Sequence, residues 1–145
     1  MNEIENKIER IKDKINTIQE YLDYLEGIVP DGFEDYKTDL KTKAACERYV
    51  EKIAEACVDL AFLIIKLKKF KLPEDDGESF KILIDNAVLP PLLAEKMKEL
   101  KGMRNVIAHV YGEVDDIKVY FSLTDEISND VNSFLNAIKL YLGLK

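Results

Sequence analysis

Arg104, Asn105, His109 and Tyr111 fall within one short stretch, and His109 is the only histidine among 145 residues. Arginine offers a permanent charge on a planar donor fork. Histidine can give or take a proton near neutral pH. Together they suit one chemistry well, the in-line attack of a ribose 2′-hydroxyl on its own phosphate. That reaction needs a base, an acid for the leaving oxygen, and positive charge on the phosphoryl oxygens. Histidine supplies the proton transfers and arginine the charge, with no metal and no cofactor. A single histidine is short of an acid–base pair, and a twofold dimer would bring a second copy to the site. The plainer alternative gives the same residues structural work. A histidine at a helix end caps carbonyls and complements the dipole, and an arginine pairs with a surface carboxylate.

Other catalytic templates are missing. The chain has no HExxH, no phosphate-binding glycine loop, no GxSxG and no dinucleotide fingerprint. Most carboxylates alternate with lysine along helix faces, where solvation explains them. Leu72-Pro73-Glu74-Asp75-Asp76-Gly77 lacks the alternating oxygen ligands of a calcium loop and reads as a solvated turn. Cys46 and Cys57 are about 16 Å apart along one helix, too far for a disulfide, and read as buried small hydrophobes.

Helices must position these residues. Asn2 and Glu5 have capping-box spacing, and Ile4, Ile8, Ile11, Ile15, Ile18, Leu22 and Leu25 form a heptad seam over residues 2–26. That seam suits a helix packed into its own bundle better than a coiled-coil strand. Residues 33–37 predict a turn or a short helical lead-in. A second long helix spans about 39–69, with Cys46, Tyr49, Val50, Ile53, Cys57, Leu60, Ile64 and Leu67 as its stripe. Phe62, Leu63 and Ile65 make its later part apolar nearly all round, so it must be covered on several sides. A short helix follows over 79–87, then one from Pro91 to His109 with Leu93, Met97, Leu100, Met103 and Ile107 inward. Gly102 costs helix stability and suggests close approach of another backbone or a ligand, and Gly112 is a plausible stop. Residues 117–123 fit both a strand and a helix. A lone strand would have no partner, so helix is preferred from Asp115 on, with a break near Thr124. The expectation is an all-α, up-down bundle of four to five helices, in one domain over 1–145.

Composition agrees, at 47% hydrophobic and 34% charged. The net charge of −7 speaks against generic nucleic-acid binding, so any RNA contact must use a local patch. Lys66, Lys68, Lys69 and Lys71 form one cluster, which reads as a solvated helix end. Lys96, Lys98, Lys101 and Arg104 form another, in which Lys101 is the candidate for substrate binding. The acidic, polar N-terminus resembles no targeting peptide, and no apolar run reaches bilayer length, so a cytoplasmic protein is the default.

Arg104-Asn105-Val106-Ile107-Ala108-His109-Val110-Tyr111 resembles the Arg-x-x-x-x-His-x-Tyr signature of HepT-like proteins in the HEPN superfamily, including the polar residue after the arginine. Lys43 to Val50, Ala56 to Ala61, Gly102 to Asn105 and Gly112 to Tyr120 are similar to that family's segments in the same order. The resemblance implies a helical homodimer with both motifs at a shared cleft. It also implies a metal-independent endoribonuclease, the toxin of a type VII toxin–antitoxin pair. Arg104 and His109 would be catalytic, with Asn105 supporting. The partner would be an MntA-type minimal nucleotidyltransferase that transfers AMP units to Tyr111. Two other readings stay open. One is a non-catalytic module that binds nucleotide or substrate for the nucleotidyltransferase, which the net charge favours. The other is a purely structural helical dimer.

Overall fold

The computed structural model describes residues 2–108 and 115–145, and of residue 109 its backbone alone. Seven helices in chain order account for most of these: α1 (Glu3–Ile28), α2 (Phe33–Thr38), α3 (Leu40–Lys68), α4 (Asp76–Asp85), α5 (Pro91–His109), α6 (Asp116–Asp125) and α7 (Ile127–Leu142). No strand occurs among the described residues, so the all-α class holds. The number of segments exceeds the expected four to five for two local reasons. The lead-in at 33–37 closes into a full turn of helix, which buries Tyr36. The last helical stretch breaks at Glu126, whose backbone lies outside helical geometry at φ −123° and ψ −50°. Residues 117–123 are helical, with Val119, Tyr120 and Leu123 turned to the core.

The caps follow from short-range chemistry. The Glu5 amide donates to Asn2 Oδ1 at 2.8 Å, and the Asn2 amide donates to Glu5 Oε2 at 3.3 Å. These bonds satisfy amides that a helix N-terminus otherwise leaves without partners. Asp39 caps α3 by accepting from the Thr42 amide at 3.2 Å. Asp75 caps α4 by accepting from the Glu78 amide at 2.8 Å. This last cap starts α4 earlier than the expected Ser79, so Asp76 and Gly77, read as part of a turn, form its first residues.

The α1 seam is filled from within the chain. Ile11, Ile15, Ile18, Leu22 and Leu25 are all buried, whereas Ile4, at the seam's start, is exposed. Helix α3 packs against α1, α2, α4 and α5 and buries residues on several sides. Ile65, one of the residues that made its later half apolar all round, is fully buried. Phe62 and Leu63 are partly buried and line a shallow groove with Arg10, Lys14 and Lys66 of α1 and α3. Phe80 of α4 and Phe134 of α7 meet edge to face, with centroids 5.9 Å apart. One continuous core thus fixes α5, which carries the motif.

Candidate active site

Helix α5 changes character along its length. Ala94, Met97 and Leu100 are buried, and from Lys101 to Ala108 no residue is. Met103 and Ile107 rest on the core's edge, which leaves the other faces of this half to the polar residues. The Arg104 side chain reaches across to α3. Its Nη2 donates to Glu55 Oε1 at 2.8 Å and its Nε to the same oxygen at 3.2 Å. Its Nη1 donates to Asn105 Oδ1 at 3.0 Å. The guanidinium plane is therefore held on two sides, by Glu55 and by the supporting amide that follows it in sequence.

The surface carboxylate that the plainer reading called for does exist, and it is Glu55. Its side chain is 45% exposed and that of Arg104 27%. An ion pair this open stabilises a fold by at most about 1 kcal/mol. Stability alone is thus a weak account of so well-directed a contact. The sequence reasoning missed Glu55, although one signal was there. It is a carboxylate set between Ala54 and Ala56, both buried, in the middle of α3.

Arg104, Asn105 and the backbone of residue 109 share α5. Lys101 lies elsewhere. Its ammonium sits beside the first turn of α4, 3.7 Å from where a Cβ on Gly77 would stand. It therefore borders α4, whereas Arg104 borders α3. The His109 side chain, Tyr111 and the expected stop at Gly112 lie outside the described residues. Gly102 departs from expectation, since a Cβ there would meet nothing within 4 Å. None of the described residues approaches it. It lines a groove of about 610 Å³ between α5 and α6, whose apolar wall includes Leu100, Met103, Val106 and Val119. This groove and Arg104 lie on different sides of α5, because two residues turn a helix by roughly 200°.

A second ion pair joins α3 to the start of α6. Lys43 of α3 lies 2.8 Å from Asp116 Oδ1 as an ion pair, and its directed hydrogen bond goes to Oδ2 at 2.9 Å. Both side chains are about four-fifths buried, at 23% and 21% exposure. Burial pushes the nearby Glu47 carboxyl above its usual range, against the opposing pull of Lys43. The Tyr36 hydroxyl is buried without a hydrogen-bond partner among the described residues, and burial makes it far less acidic than usual. Burial also raises the Cys46 thiol to about 11 and the Cys57 thiol further still, so neither is a ready nucleophile.

The bundle is all-helical among the described residues, and one helix carries an arginine, an amide and a histidine. The ribonuclease HepT-like family matches residues 18–138. The chain belongs to that family and is, by class, a ribonuclease. An mRNA nuclease HepT from Shewanella oneidensis is 27% identical over 130 residues, covering 89% of this chain and 96% of that protein. A tRNA nuclease HepT from Aphanizomenon flos-aquae is 26% identical over 131 residues, covering 86% and 89%. Among solved structures, the tri-AMPylated Shewanella oneidensis HEPN toxin in complex with MNT antitoxin superposes with a TM-score of 0.84. It is 26% identical and covers 97% of this chain and 99% of that one. No helix among the described residues is long and apolar enough to cross a membrane.

Proposed function

We propose that this chain is the metal-independent endoribonuclease toxin of a type VII toxin–antitoxin pair. The whole of 1–145 acts as one cytoplasmic domain that works as a homodimer, with the two motifs at a shared cleft. Arg104 neutralises the phosphoryl oxygens of the scissile bond, and His109 handles a proton. Asn105 orients Arg104, and Lys101 contacts RNA along the α4 side. The observation that carries this reading is the guanidinium of Arg104. It is fixed by Asn105 and Glu55 on the motif helix of a chain whose similar proteins are an mRNA nuclease and a tRNA nuclease. A preset donor fork of this kind gains its value where charge develops in a transition state. The partner is a nucleotidyltransferase antitoxin of MntA type, which neutralises the toxin by adding AMP units to Tyr111. A similar solved protein is described as tri-AMPylated and in complex with MNT antitoxin, which supports this part.

The test is cleavage of labelled RNA by purified protein in excess EDTA, with His109→Ala alongside. Activity of the wild type and its loss in the variant are expected. Equal cleavage by both would remove His109 from the mechanism. Cleavage only on adding a divalent ion would remove the metal independence. For the partner, intact mass after coexpression should show added AMP units on the wild type and none on Tyr111→Phe. The net charge of −7 favours one competing reading, a nucleotide-binding subunit that does not cleave. That reading predicts a stable complex with the partner while RNA stays intact.

A further inference from the structure

We propose that Glu55 is the general base of the site, taking the proton from the attacking 2′-hydroxyl. This rests on the assignment of Arg104 to the scissile phosphate. One histidine cannot be base and acid in the same step. A second copy of the motif is one remedy, and the structure holds another within a single chain. Glu55 Oε1 accepts both Nε and Nη2 of Arg104, at 3.2 and 2.8 Å. Oε2 accepts no hydrogen bond among the described residues, and the side chain is 45% exposed. One oxygen is thus anchored to the guanidinium, and the side chain that carries the other keeps nearly half of its surface open beside it. A phosphate bound at that guanidinium brings its own 2′-oxygen to the same flank. The nucleophile must come within about 3–3.5 Å of phosphorus. A carboxylate oxygen there is within hydrogen-bond reach of it.

Among the described residues, neighbouring groups do not offer the same. Asn105 accepts from Arg104 through an amide oxygen, which is too weakly basic to take the proton. Asp59, one turn further along α3, pairs with Lys14 at 3.6 Å. Glu51, one turn back along α3, pairs with Arg48 at 3.4 Å. In the proposed step the 2′-O–H proton passes to Glu55 Oε2 and the 2′-oxygen bonds to phosphorus. The bond from phosphorus to the 5′-oxygen breaks, and the leaving oxygen takes a proton from the His109 imidazolium. The products are a 2′,3′-cyclic phosphate and a 5′-hydroxyl. Glu55 then gives its proton to water.

Glu55→Gln separates this role from simple positioning, because the amide oxygen keeps an acceptor for Arg104 but cannot take the proton. The measurement is single-turnover cleavage of a ribo-oligonucleotide at one mapped bond. A second substrate carries sulfur in place of the bridging 5′-oxygen there, since a thiolate leaves without a proton. Glu55→Gln is expected to slow cleavage about 10²- to 10³-fold on both substrates. The His109→Ala deficit should shrink on the sulfur substrate. The wild-type thermal midpoint should be kept by Glu55→Gln. Cleavage by Glu55→Gln within tenfold of wild type, or its restoration by the sulfur leaving group, would overturn the proposal. If the wild type cleaves and Glu55→Gln keeps pace, only the base assignment falls. A wild type that cleaves no RNA overturns the ribonuclease reading and this proposal together.

Discussion

The two halves of α5 differ in what holds them. In the first half, Ala94 and Met97 are fully or almost fully buried and Leu100 nearly so. In the second half, Lys101 to Ala108, nothing is buried, and Arg104 makes directed polar contacts with Glu55 and Asn105. The first half anchors the helix by apolar burial and dispersion. The second half holds its polar side chains on directed bonds that contribute little to stability. The difference teaches that the burial that anchors a helix and the contacts that orient its polar side chains are separable along its length. A site presented this way can be altered with small effect on the fold.

Four changes test that division, and the first should have the largest effect. Arg104→Ala is expected to lower RNA cleavage at least about 100-fold, because it removes the charge held for the phosphoryl oxygens. The thermal midpoint should move by only a few degrees, as expected for an exposed pair worth under about 1 kcal/mol. A large drop in midpoint would show that the second half is also structural. Met97→Ala is the converse. It should destabilise by about 2–5 kcal/mol in urea unfolding, through lost burial and a cavity, while folded protein cleaves at the wild-type rate. A loss of rate at full folding would couple the halves.

Lys43→Met addresses the pair at the start of α6. It leaves Asp116 largely buried beside Glu47 with no cation, so a loss of about 1–3 kcal/mol is expected at neutral pH. Lowering the pH should recover part of it, because Glu47, whose carboxyl burial and the charge of Asp116 push up, takes a proton and ceases to repel Asp116. No recovery in acid would mean that the lysine's alkyl packing, and not its charge, matters. Gly102→Ala should have the smallest effect, a gain of up to about 1 kcal/mol for the single chain, since the added Cβ meets nothing within 4 Å. If two copies pack over this glycine, sedimentation should instead show a weaker dimer. Such a result would restore the close approach that its place in the helix first suggested.

Much of the bundle was legible because its signals are local. The seam of α1, the Asn2–Glu5 cap and the stripe of α3 each depend on residues a few positions apart. The start of α4 was misjudged because Pro73 and the acidic run read as a turn, while the capping bond of Asp75 decided otherwise. The break at Glu126 was expected near Thr124. That hydroxyl bonds back to the Tyr120 carbonyl at 3.1 Å, so it closes the end of α6 without ending it there. Of the candidate site, Arg104, Asn105 and Lys101 were visible by type and spacing. Where Lys101 points was not, since that depends on how α4 lies against α5.

The sequence by itself determined the long helices, the side of α1 and α3 that turns inward, and the short motif that puts Arg104 and Asn105 next to a lone histidine. On α6 helical spacing from Ile117 to Phe121 predicts those two inward, and both are exposed while Val119, Tyr120 and Leu123 are buried. Periodicity, capping and side-chain chemistry act over a turn or two and need no partner element. Only the tertiary structure decided what faces that motif. Glu55 meets Arg104 from 49 residues away, and Lys43 meets Asp116 from 73 residues away. Such pairings depend on the angle and register at which α3 packs against α5 and α6. The core sets that register through many small apolar contacts, and no single spacing in the sequence records it.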